Sequence, residues 1–123
     1  MHTTNKTTLI IGASESRVRY SYLAAERLLS HGYSIACIGL KPGSVLGVPI
    51  QTGTPDLQDI DTVTLYINPK RQPAYYDYLI QLAPRRVIFN PGTENAELED
   101  LLNSHGVETL EACTLVMLAT GRY

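Results

Sequence analysis

Short apolar, β-branched runs alternate along the chain with stretches of helical periodicity, the pattern left by strands buried on both faces and separated by helices. It predicts strands at Thr7–Gly12, Ser34–Gly39, Thr62–Ile67 and Arg86–Asn90, with a short fifth at Val107–Leu110. Between the first two, Leu23, Ala24, Arg27, Leu28 and His31 recur at helical spacing. A helix is therefore expected over Tyr22–His31, stopped by Gly32. Pro73–Leu82 reads as a second helix, with Tyr75, Tyr78, Leu79 and Leu82 on one stripe and Pro84 just beyond its end. Asn95–His105 reads as a third, with Leu98, Leu101 and Leu102 apolar and Gly106 closing it. The Gly- and Pro-rich segment Lys41–Leu57 is the longest irregular region, with an extended piece expected at Val48–Gln51 and a helical turn near Pro55–Leu57.

This alternation places the chain in the α/β class, as a single doubly wound parallel sheet of five strands. Right-handed crossovers on either side of the first strand give a Rossmann-like order, 3-2-1-4-5. The crevice then lies beyond the carboxyl ends of the strands, where four loops converge: Gly12–Ser21, Gly39–Gly43, Ile67–Gln72 and Asn90–Asn95. At 123 residues the chain is sized for one domain over 1–123, and 44% hydrophobic with 18% charged residues describes a globular chain,. A net charge of -2 argues against a general nucleic-acid binder,. No apolar stretch approaches the roughly 20 residues that span a bilayer, so no membrane partner is expected. The N-terminus lacks the apolar core of a signal peptide, and Cys37 and Cys113 stand alone, so the expectation is a cytoplasmic protein with reduced thiols,. Both thiols read as buried and inert, and no Cys/His spacing suits zinc.

Candidate chemistry sits at the strand ends. The apolar run Thr8–Ile11 stops at Gly12-Ala13-Ser14, and Arg17 and Arg19 precede the first helix. Glycine there allows close backbone approach, the Ser14 hydroxyl can donate to a phosphate or ribose oxygen, and a helix N-terminus favours an anion. Measured against the dinucleotide fingerprint G-x-G-x-x-G, the second and third glycine positions hold Ser14 and Arg17. Ser21 either faces the ligand or caps the helix. After the second strand, an NAD enzyme places Asp or Glu on the ribose, whereas this chain has Gly39-Leu40-Lys41-Pro42,. Lys41 suits a phosphate on the adenosine ribose, the 2′-phosphate of NADP or the 3′-phosphate of coenzyme A, or else it sits in water. Asn68 and either Lys70 or Arg71 end the third strand, as ligand contacts or as ordinary turn chemistry. Asn90-Pro91-Gly92-Thr93-Glu94-Asn95 forces a turn and forms either a polar wall of the crevice or a plain helix start with Thr93 as N-cap. His31 and His105 precede glycines at helix ends, a structural placement, and no nucleophile–base pair is assembled for catalysis.

Gly12-Ala13-Ser14 followed by Arg19, Ser21 and Tyr22, then His31-Gly32-Tyr33, resembles the small bacterial coenzyme A-binding domain proteins. These are similar to the N-terminal domain of the succinyl-CoA synthetase α subunit. Lys41-Pro42, the Leu46-Gly47 turn, the Asn90–Asn95 stretch and the Cys113 segment fit the same pattern, which covers Thr7 to Tyr123. Many members carry Asn-Pro where this chain has Ser16-Arg17 and Gly39-Leu40. The resemblance implies coenzyme A or an acyl-CoA lying across the strand ends. Gly12, Ala13, Ser14 and Arg19 would hold the pyrophosphate, and Lys41 would meet the ribose 3′-phosphate. Asn68 and the loop of Asn90, Pro91, Gly92, Thr93 and Asn95 would line the pantetheine side. The synthetase's phosphohistidine chemistry belongs to a second domain, so the resemblance implies binding without catalysis. An NADP-dependent oxidoreductase domain and a regulatory or partner subunit of an acyl-CoA enzyme are the competing readings.

Overall fold

The computed structural model describes residues 6–123; the first five residues, His2 among them, lie outside it. One sheet carries seven strands: β1 (Thr7–Ile11), β2 (Ser34–Ile38), β3 (Gly43–Val45), β4 (Val48–Gln51), β5 (Ile60–Leu65), β6 (Arg86–Phe89) and β7 (Glu108–Glu111). Their order is β3-β4-β2-β1-β5-β6-β7, parallel except for β3. The predicted order 3-2-1-4-5 and count of five are both corrected. The strand expected at Thr62–Ile67 does not lie outside β2; as β5 it pairs with β1, Leu9 facing Val63. The place outside β2 belongs to β4, and β3 folds back on it through Leu46-Gly47, both at positive φ. That is hairpin geometry; β4 is the extended piece expected at Val48–Gln51, and β3 is a further strand in the segment read as irregular,. Val45 and Ile50 are buried there despite the surrounding Gly and Pro. No helical turn forms at Pro55–Leu57; the carbonyl of Pro55 instead accepts the Tyr78 hydroxyl at 2.6 Å.

The helices are α1 (Tyr20–Ser30), α2 (Tyr76–Leu82), α3 (Ala96–Ser104) and α4 (Thr114–Ala119). α1 starts two residues before its predicted first residue. The predicted second helix is split, because Pro69 and Pro73 hold Pro69–Tyr75 in a 3-10 helix ahead of α2,. α4 escapes sequence reading since six residues are too few to show a period,. Alternation along the strands sends Leu9, Ile11, Val63, Leu65, Val87 and Phe89 toward Leu79, Leu98 and Leu102 on one face. Ile10, Ile35 and Cys37 pack on the other face with Ala25, Leu28 and Leu118. Burial pushes the Cys37 thiol up to about 11, which keeps it inert,. Cys113 is only partly buried, at the N-cap of α4, which corrects the expectation of a buried thiol. His31 and His105 do cap α1 and α3, each ring Nδ1 donating to a carbonyl four residues back, of Arg27 (2.7 Å) and Leu101 (3.0 Å). Beneath α4, Tyr123 stacks on Arg86, 4.5 Å from guanidinium carbon to ring centroid, and its hydroxyl pairs with Thr8. No helix among the described residues is long and apolar enough to cross a membrane.

On α3, burial and the neighbouring Glu111 push the Glu99 carboxyl up to about 7. Its Oε2 is buried without a partner among the described residues. The native state therefore holds this proton more tightly than the unfolded chain does, whose value lies near 4.5. The resulting stability is fully present below that lower value and is lost as pH rises through the upper one. Glu99→Gln is expected to raise the denaturation midpoint over wild type at about pH 8, with the difference vanishing near pH 4. A difference that stays constant over that interval would discard this origin.

Candidate functional site

The strand ends of β1, β2, β5 and β6 open into a cleft of about 650 Å³, at the point where the chain reverses from the β2 side of β1 to the β5 side,. Its lining includes Gly12, Ala13, Ser14, Arg19, Ser21, Lys41, Asn68, Pro91, Gly92 and Thr93. Four segments far apart in sequence therefore meet as expected, with Asn90 and Asn95 as exceptions.

The first loop is held by its own backbone. The amides of Gly12 and Ala13 both donate to the Ile38 carbonyl at 2.9 Å. Gly12 has φ +99°, and a Cβ there would stand 2.8 Å from the backbone carbonyl of Tyr66. Glycine is needed here for the close approach of β1 to the β5 exit, and neither amide is left for a phosphate. What the loop offers is side-chain chemistry and a helix end. The Ser14 hydroxyl accepts from the Ser16 amide at 3.0 Å, which leaves its proton free to donate outward,. Ser21 is buried in the first turn of α1 and does not cap it; the N-cap is Arg19, with no side-chain cap and no acidic residue in that turn. The positive end of α1 thus reaches the cleft through Tyr20 and Ser21 without internal compensation,.

Asn90 is a structural residue rather than a wall of the cleft. It is 2% exposed. Its Nδ2 donates to Thr64 Oγ1 (2.7 Å) and to the Leu65 carbonyl (2.9 Å), and its Oδ1 accepts from the Thr114 amide (2.8 Å). Asn95, not Thr93, is the N-cap of α3, accepting from the Leu98 amide at 3.2 Å. Thr93 instead donates its hydroxyl to the Asn90 carbonyl at 2.8 Å, tightening the turn. The Gly92 amide is occupied by Glu94 Oε1 at 2.8 Å.

Several residues in or behind the cleft were not singled out from the sequence. Fully buried Gln72 donates to the carbonyls of Ile67 (3.1 Å) and Thr93 (2.8 Å) and accepts from Asn95 (2.9 Å), so it ties two cleft walls together. Tyr66 lines the cleft with a buried hydroxyl that has no partner among the described residues, and burial pushes its phenol up to about 12. It stays neutral, with Thr64 and Thr114 beside it. Of the two basic residues after Asn68, Arg71 lines the cleft and Lys70 does not. Glu15 and Tyr20 complete the first-loop side. Arg19, Lys41 and Arg71 face one carboxylate, Glu15, in a chain whose overall charge is negative. A second groove of about 550 Å³, between residues 54–59 and α2, carries Asp56, Asp59 and Asp77 and no basic residue. Only the first cleft suits an anion.

A Rossmann-like α/β fold with a cation-lined cleft beyond its strand ends is the class that fold and site define. The chain belongs to the CoA binding domain family, whose model matches residues 6–119. An uncharacterized protein of known crystal structure is 52% identical, with a TM-score of 0.94 over 98% of this chain and 100% of that one. A hypothetical protein from Pyrococcus horikoshii OT3 is 26% identical, with a TM-score of 0.84 over 94% and 82% of the two chains. A Thermus thermophilus protein at 18% identity shares the fold, with a TM-score of 0.85 over 97% and 91%. No curated protein matches the chain.

Proposed function

We propose that this cleft binds coenzyme A or an acyl-CoA in the cytoplasm and holds it without turning it over. The observation that carries the reading is the opening of Arg19, Lys41 and the uncapped N-terminus of α1 onto one cleft, in a chain of the CoA binding domain family. In this reading Ser14, Arg19 and the α1 N-terminus take the pyrophosphate, through side chains and a helix end rather than the amides of Gly12 and Ala13. Lys41 takes the ribose 3′-phosphate. Arg71 stands ready for phosphate charge, while Asn68, Pro91 and Thr93 flank the pantetheine arm. Gly12, Ala13, Asn90 and Asn95 serve the ligand by shaping the loops. Calorimetric titration of coenzyme A, dephospho-coenzyme A and NADPH into one preparation tests it. Coenzyme A is expected to bind most tightly; tight NADPH binding with none for coenzyme A overturns the reading in favour of an NADP-dependent oxidoreductase domain.

A further inference from the structure

We infer that Glu15 is a positioning residue: it braces the segment bearing Lys41 against the first loop and so fixes where that cation meets a ligand. The affinity test rests on the coenzyme A reading, including Lys41 at the 3′-phosphate; the hydrogen-exchange test does not. Glu15 Oε2 accepts from the backbone amide of Ser44 at 2.9 Å, across 29 residues of sequence. Gly43 makes the seat. A Cβ on Gly43 would stand 2.5 Å from Glu15 Cδ and 2.6 and 2.9 Å from its two carboxylate oxygens. Gly43 is not at positive φ, so its backbone conformation does not ask for glycine; room for the carboxylate does,. The same two segments touch at Gly39, where a Cβ would lie 2.5 Å from the Ala13 carbonyl oxygen. That inner contact fixes the base of the β2 exit, and Glu15 fixes its outer part at Gly43 and Ser44, two and three residues beyond Lys41.

A carboxylate lining an anion site also repels the ligand, so charge and brace act with opposite sign. E15A and E15Q both remove the charge, but only glutamine keeps an oxygen for the Ser44 amide. E15A is expected to bind coenzyme A roughly three- to tenfold more weakly than E15Q, the worth of one such hydrogen bond. Because the brace acts through Lys41, the two variants should bind dephospho-coenzyme A alike. G43A keeps the charge but removes its seat, and should lose the preference for coenzyme A over dephospho-coenzyme A as E15A does. Equal coenzyme A affinity in E15A and E15Q, or equal losses for both ligands, overturns the inference. Amide hydrogen exchange on the free protein judges the brace even if no coenzyme A binds. Ser44 should exchange faster in E15A and G43A than in wild type and E15Q, and unchanged rates reject it.

Discussion

Asn90→Ala is expected to destabilise the protein by about 3 kcal/mol, as each buried polar group left without a partner costs about 1–3 kcal/mol. The substitution removes the partner of the Thr114 amide and of the Leu65 carbonyl together. Thr64 is less affected, since its hydroxyl also pairs with that of Thr114 at 2.8 Å. For a chain of this size the melting temperature should fall by roughly 10–15 °C. Chemical denaturation should show a lower midpoint with an unchanged slope. If Asn90→Ala unfolds like wild type while ligand binding collapses, Asn90 returns to the cleft as a ligand contact. The structure argues against that, because its side chain joins β5, the β6 exit and α4 under the sheet surface.

Lys41→Ala has the second large effect, on affinity. Lys41 is exposed and forms no ion pair among the described residues, so stability should not change. A charge-assisted contact is worth about 1.5–3 kcal/mol, so coenzyme A should bind on the order of tenfold to a hundredfold more weakly. Dephospho-coenzyme A, lacking the 3′-phosphate, should bind the variant as it binds wild type. Arg19→Ala serves as the internal comparison and should weaken both ligands, because both carry the pyrophosphate. Equal losses for the two ligands in Lys41→Ala would remove Lys41 from the 3′-phosphate.

The elements were legible where a local pattern is strong. The β-branched runs at Thr7, Ser34, Thr62, Arg86 and Val107 all lie in strands or at their edges, and Gly32 and Gly106 end helices at positive φ. Strand order was not legible in the same way. Periodicity says that Thr62–Leu65 is extended, but its neighbour is chosen by which buried face completes the sheet, and β4, with Ile50 buried opposite Cys37, takes the place beside β2. The cleft's cations were found because strand ends collect ligand groups in this topology. Asn90 misled because Asn-Pro-Gly reads as a turn whether its side chain faces out or in. Glu15 and Gln72 were missed for one reason. Each acts through partners 29 and 21 residues away, and no local spacing announces such a bond.

The pairing of the Gly12 and Ala13 amides with the Ile38 carbonyl has one more consequence. In a glycine loop whose amides stay free, a phosphate completes the hydrogen bonding and organises the loop as it arrives. Here the backbone has closed its own circuit. The disorder of that loop is given up during folding and is not given up again on association, so the bound and unbound shapes of the strand ends should nearly coincide. Such a site works as a rigid mould, with discrimination carried by the few side chains on its rim.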